Sequence, residues 1–248
     1  HPERRRAGIG TALLRHAAAR AAEHGRTVLA GHVLRGSAGE SFARRAGVSE
    51  GIAEIRRQHD LRAIPDGLLA SLGEMAGKAA EGYSLVTWAG PVPDERLDQV
   101  AGVFNALNDA PHDAGVEEHS WDGACVRDRW NGPAARFGRR EYAVAAVHDA
   151  SGEMAGLNQV AVDPETPQWG FLAYTAVTRA HRGHRIGLLT KTAMAEWLLK
   201  AEPELRRIET WNAASNQYMI GVNQLLGYEV VGPPSCSVEL PVAAVPQS

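Results

Sequence analysis

The chain has only two cysteines, Cys125 and Cys236, far apart and without metal-ligand spacing, which argues against a disulfide framework or a zinc site. It has no apolar run approaching the roughly 18 residues a membrane helix needs, and residues 1 to 25 lack a signal-peptide core. No charge sign dominates either. A net charge of -3 over 248 residues gives no general pull toward nucleic acid, so any basic site must be local. These absences lead us to expect a globular cytoplasmic protein with neither nucleic acid nor membrane as partner.

What remains is 44% hydrophobic and 22% charged, enough for one large or two modest domains. Arg far outnumbers Lys, which is compatible with a GC-rich bacterial source. The sequence begins without Met inside what reads as a structural unit, from which we expect it to be part of a longer protein.

Two stretches share one design. "AHRGHRIGLLTKTAMAEWLLK", from Ala180, sets a basic, glycine-bearing turn against a helical pattern, and "HPERRRAGIGTALLRHAAARAA", from His1, does the same. Upstream of the second turn, Tyr142 to Asp149 and Glu153 to Val162 read as a hairpin, followed by a strand from Trp169 to Thr178. Downstream come a helix ending before Pro203, a strand "RRIETWNA", a helix closed by Gly227, and last strands in "YEVVG" and "SCSVELPV". The first turn is followed by a similar helix, strand, helix and strand. Gly10 to Gly47 spans 37 residues and Gly187 to Gly227 spans 40, which points to duplication.

The expected fold is therefore α/β with mixed sheets, in two units. Residues 1–62 form the second half of a first unit, 63–82 a linker with a short helix, and 83–248 a complete second unit. The second unit includes early helices in "DERLDQVAGVFNALN" and "EEHSWDGACVRDRWN". A half-sheet with an exposed edge folds poorly alone, so the missing portion or a docked neighbour must cover the first unit.

A turn at a helix N-terminus offers unpaired N–H groups and partial positive charge, which suits phosphate. Neither turn has the Gly-x-Gly-x-x-Gly of dinucleotide sites, and no Gly-Lys-Ser/Thr of a P-loop occurs. Arg5-Arg6-Ala7-Gly8-Ile9-Gly10 instead resembles the Arg/Gln-x-x-Gly-x-Gly/Ala signature of the GCN5-related N-acetyltransferases. Arg182-Gly183-His184-Arg185-Ile186-Gly187 matches it except that Arg185 replaces the middle Gly, and "LLGY" (Leu225 to Tyr228) adds to the second match.

The resemblance covers residues 83 to 240 well and 1 to 60 more weakly, and implies a tandem acetyltransferase using acetyl-CoA and no metal. It implies that the amides of His184, Arg185, Ile186 and Gly187 hold the CoA pyrophosphate, flanked by the side chains of Arg182 and Arg185, with Gly183 in the turn. Arg185 keeps its amide available provided the turn needs no positive φ there. The strand edge at Ala176, Val177 and Thr178 would pair with the pantetheine arm, and Arg5, Gly8 and Gly10 would form a second cradle.

The family's usual acid, a Tyr four residues before the terminal Gly, is Asn223 here and Ala43 in the first unit. Asn216 and Asn223 share a helix face to within about 20°, with Asn212 at the end of the preceding strand. Asn216 is also a natural helix cap. An Asn inside a helix has low propensity, so a hydrogen-bonding task explains Asn223 better. Tyr218 is the nearest phenol, about 140° around the helix from Asn223.

On the acceptor side, the loop from Asn108 to Asp122 gathers His112, Asp113, Glu117, Glu118 and His119, either to meet an amine or simply as a solvated acidic loop. Tyr174 faces the cleft or the core. The expected activity is acyl transfer from acetyl-CoA to a small-molecule primary amine by the second unit, with a homodimer as the possible assembly. A mycothiol-synthase-like transferase and a non-catalytic acyl-CoA sensor are the alternatives.

Overall fold

The computed structural model describes residues 2–109 and 120–245. Helix α1 (Ile9–Glu23) leads to strand β1 (Val28–Leu34), helix α2 (Ala38–Ala46) and the long strand β2 (Ser49–Asp60). Helix α3 (Leu68–Ala79) precedes β3 (Tyr83–Ala89) and α4 (Leu97–Asn105). After a short helix α5 (Gly123–Val126), a π-helical turn from Arg127 to Asn131 and α6 (Gly132–Phe137) come β4 (Arg140–His148), β5 (Met154–Val162) and β6 (Trp169–Val177). Helix α7 (Ile186–Ala201), β7 (Arg207–Ala213), α8 (Gln217–Leu225), β8 (Glu229–Val230) and β9 (Ser235–Pro241) complete the chain.

All strands belong to one mixed sheet in the order β1-β9-β2-β7-β6-β5-β4-β3, with β8 beside β2. The two halves of the sequence exchange strands within it. Asp60 to Glu54 of β2 pairs antiparallel with Arg207 to Ala213 of β7, while β9 runs between β2 and β1. The neighbour that covers the early strands is thus the later part of the same chain.

Apolar residues facing the two sides of the sheet explain the layers. On one side α3, α7 and α8 pack Leu72, Met194, Leu198 and Val222 against Val144, Val160 and Ile208. On the other, α4 and α5 pack Val100, Phe104 and Val126 against Ala143, Ala145 and Leu157. Each fully buried Leu, Ile, Val or Phe contributes about 1.5–3 kcal/mol, so these layers dominate the stability.

Two expectations change. The stretch 63–82 is no passive linker, because α3 buries Leu69, Leu72 and Ala76 against the core and lies along α7. The helix expected over 117–131 starts only at Gly123, where Asp122 accepts a hydrogen bond from the Cys125 amide at 2.7 Å, and it runs on to Phe137. The C-terminal end of α7 is tied down by Glu202, which accepts two hydrogen bonds from Arg140, at 2.6 and 2.9 Å, and one from Tyr142 at 2.7 Å. That anchorage leaves the other end of α7 to carry the site.

Candidate active site

Strands β6 and β7 run parallel but pair only from Trp169 to Phe171 with Arg207 to Glu209. Beyond that, Tyr174 to Val177 pair only with β5, and Thr210 to Ala213 only with β2. A register shift opposite Gln159 and Val160 bends β6 as it leaves its neighbour. The sheet is split into a wedge in which Tyr174 to Val177 have no strand beside them on the β7 side.

At the mouth of this wedge the chain turns into α7. Two residues of the turn are left-handed, Gly183 at φ +93° and Arg185 at φ +54°. The condition set for Arg185 therefore fails: the position does require positive φ, and a non-glycine residue occupies it at a cost in backbone strain. Leu188 and Leu189 donate to the Arg185 carbonyl, so the N–H groups of Ile186 and Gly187 stand ahead of the first helical hydrogen bonds. A Cβ on Gly187 would lie 4.0 Å from the methyls of Thr175 and Val177, so a bulky side chain there would project into the wedge wall.

The turn borders a cavity of about 420 Å³ lined in part by Leu107, Val177, Gly183, Asn216, Tyr218 and Met219. Arg182 also borders it, but its guanidinium is engaged: it donates to the Val177 carbonyl at 3.2 Å and to Asp109 at 2.7 Å, where Arg179 also binds at 3.2 Å. Arg185 points the other way, onto Met75 Sδ of α3 at 2.9 Å. His184 lies against the ring of Tyr83 at 5.3 Å, and the Tyr83 hydroxyl hydrogen-bonds His181 Nδ1 at 2.8 Å. Thr178 is tied through its N–H and hydroxyl to the Ala155 carbonyl.

Of the three asparagines, Asn212 and Asn223 come together and Asn216 stands apart. Asn216 caps α8, its side chain accepting from the Met219 amide at 3.1 Å, and lines the cavity besides. Asn223 is fully buried and donates through Nδ2 to Asn212 Oδ1 at 2.7 Å. Tyr218 is 59% exposed at the cavity rim, on a different helix face from Asn223. Tyr174 lies half-buried against Phe104 at 4.6 Å and Trp121 at 6.4 Å, and burial raises its phenol above the ordinary value. His112 and Glu117 lie outside the described residues.

Sequence reasoning missed the group behind Asn223. Lys191, 3% exposed, donates through Nζ to Asn223 Oδ1 at 2.8 Å, and burial lowers its pKa to about 7. Its Nζ also stands 4.7 Å from the centre of the Tyr228 ring, which stacks on His59 of β2 at 4.6 Å. Desolvation, followed by the charge of Lys191, pulls His59 down to about 4. The available signal was a lone Lys in the apolar run "LLTKTAMAEWLL".

The first turn repeats the backbone of the second, with Arg6 at φ +65° and Gly8 at φ +76°. Its surroundings differ. Arg5, Gly8 and Gly10 are exposed, and the Phe42 ring comes within 3.1 Å of where a Cβ on Gly10 would sit.

With this geometry, the acetyltransferase (GNAT) family model matches residues 101–228, just over half the chain. A tandem GNAT protein from the clavulanic acid biosynthesis pathway is 31% identical, with a TM-score of 0.73 over 98% of this chain and 72% of that one. The chain belongs to the GNAT family. It is of the tandem type and is an N-acetyltransferase. It is also similar to the mycothiol acetyltransferase of Mycolicibacterium smegmatis, 26% identical over 93% of this chain and 70% of that protein. A GNAT protein from Sphaerobacter thermophilus shares the fold, with a TM-score of 0.65 at 17% identity over 98% of this chain and 70% of the other. No helix among the described residues is long and apolar enough to cross a membrane.

Proposed function

We propose that this acetyltransferase moves an acetyl group from acetyl-CoA to a primary amine of a small molecule, with residues 83–248 forming the active unit and residues 1–62 a degenerate, structural one. The observation that carries the reading is the coincidence, at one place, of a β6 edge with no strand on its β7 side, a left-handed turn and the N-terminus of α7. An extended amide-bearing arm can hydrogen-bond along the β6 edge at Ala176 and Val177 as Arg182 releases the Val177 carbonyl, and a pyrophosphate suits the N–H groups that open α7. Arg182 adds positive charge beside them, once shared with Asp109. Acetyl-CoA supplies the activated acyl group; the chain's part is to hold it, exclude water from the wedge and orient the thioester.

The acceptor is the less defined part. Half-buried Trp121 and Tyr174, backed by the buried Phe104 ring, offer an apolar surface for a small molecule. A mycothiol-type acceptor is the second reading, supported by the likeness to the mycobacterial enzyme over 93% of the chain. Cytoplasmic placement in a bacterium fits Cys125 and Cys236, neither of which forms a disulfide.

Calorimetry with acetyl-CoA beside a thiol-release assay over a panel of primary amines, including the acceptor of mycothiol acetylation, tests the reading. Binding with turnover of at least one amine is expected. Binding without turnover of any amine would replace the enzyme reading by that of an acyl-CoA sensor. If Arg182→Ala combined with Gly187→Trp left the affinity unchanged, the site assignment would fail.

A further inference from the structure

Lys191 needs an explanation that the fold does not provide. Its ammonium is buried among apolar side chains, and among the described residues no carboxylate pairs with it. Removing an ammonium from water without a counter-ion is expensive, and an apolar side chain of similar size would pack there at lower cost. The group it meets is a single amide.

That amide has only one possible orientation. An ammonium is a pure donor, so the atom of Asn223 facing it at 2.8 Å is Oδ1. The Asn223 Nδ2 group then faces Asn212, whose Oδ1 accepts at 2.7 Å. This leaves the Nδ2 hydrogens of Asn212 as the free end of the chain. Asn212 sits on the stretch of β7 that has left β6, so the relay leads from the buried Lys191 to the strand that borders the wedge. When Lys191 holds its proton, at and below about pH 7, the ammonium at the inner end polarises each amide in turn.

We propose that Lys191 is a positioning residue that orients and polarises Asn223 and Asn212, so that Asn212 Nδ2 holds the thiolate of CoA as it leaves. This rests on the acetyl-transfer reading above. In that transfer the amine nitrogen bonds to the thioester carbon, the C–S bond breaks with its electron pair on sulfur, and the amine proton passes to water. The sulfur departs as an anion held by an amide hydrogen, which accounts for a working site with Asn223 where the family has a phenol. The other groups facing Lys191 are the Tyr228 ring and, beyond it, His59 of β2, which is held neutral.

The test is the ionisation of bound CoA, followed by thiolate ultraviolet absorbance against a desulfo-CoA reference, in the full chain and in Lys191→Met. Because Lys191 loses its proton near pH 7, below the range in which a free thiol ionises, the two groups titrate as a pair. Between about pH 6 and 7 CoA bound to the parent should carry a thiolate fraction at least tenfold above that of free CoA, and Lys191→Met should abolish that excess with CoA affinity within about threefold. Asn223→Asp, which keeps a partner for Lys191 but cannot donate to Asn212, should behave like Lys191→Met and serves if that variant does not fold. Where an amine substrate is in hand, both variants should lose kcat by tenfold or more with little change in KM for acetyl-CoA. Equal thiol ionisation in parent and variants would overturn the relay while leaving the acetyltransferase reading intact. Failure of the parent to bind CoA at all would instead sink the reading on which it rests.

Discussion

The two basic turns share a backbone and differ in what surrounds it. Each places left-handed residues three and one positions before its helix, and each fills one of those places with Gly and the other with Arg, in opposite order: Arg6 and Gly8, Gly183 and Arg185. The helices they open have different fates. Ile186 is 1% exposed and locked against the sheet, helped by Gly156, where a Cβ would come within 2.8 Å of it. Ile9 is 50% exposed and Leu13 64%, and only Ala18 of α1 is buried. Motif quality and site quality have come apart, since the cleaner sequence motif stands on the helix with the poorer support.

The largest contrast should appear on binding. Gly187→Trp, which projects an indole past Thr175 and Val177, should cut acetyl-CoA affinity about a thousandfold, roughly 4 kcal/mol, in titration calorimetry. Gly10→Ala, which must push the Phe42 ring aside, should lower thermal stability and leave affinity unchanged. Equal losses of affinity would erase the distinction between the turns.

The next effect concerns what the early strand β2 gives to the later part of the chain. His59, on the exchanged strand β2, has its pKa lowered to about 4 from an ordinary 6.5. Between those values the unfolded chain binds a proton that the folded chain refuses, so stability falls as pH drops from 6.5 to 4. The loss approaches about 3 kcal/mol at the lower end. His59→Phe should flatten that limb in urea titrations at pH 4.5 and 7, and an unchanged slope would show that His59 is not the group responsible.

The smallest effects lie in the turns themselves. Gly183→Ala, at φ +93°, should cost roughly 1–2 kcal/mol, and Gly8→Ala roughly 1 kcal/mol, by urea melts. Arg185→Gly relieves left-handed strain but adds freedom to the unfolded chain, for a net gain below about 1 kcal/mol.

Much of this was legible beforehand because periodicity and turn residues are local. The hairpin of β4 and β5, helix α7 and the order of elements after it follow from alternating and helical apolar patterns, and the observed bounds differ from the expected ones by one or two residues. The strand exchange was not legible. Nothing in "GIAEIRRQHDL" or "SCSVELPV" says which neighbour each strand will choose, since both alternate in a way that suits either place. Helix α3 was legible as a short helix but not as part of the core, which shows only in the packing of Leu69, Leu72 and Ala76 on one buried face. At the site, the anomalous Asn223 was visible from its place in a helix, but its partner Lys191 stands 32 positions away and is joined to it only by packing.

The central claim is that the second turn, and not the first, holds acetyl-CoA. Titration calorimetry of the full chain with acetyl-CoA, repeated on Gly187→Trp, tests it most directly. One site per chain that vanishes in Gly187→Trp is the predicted result, and a site that survives that substitution with unchanged affinity would contradict it.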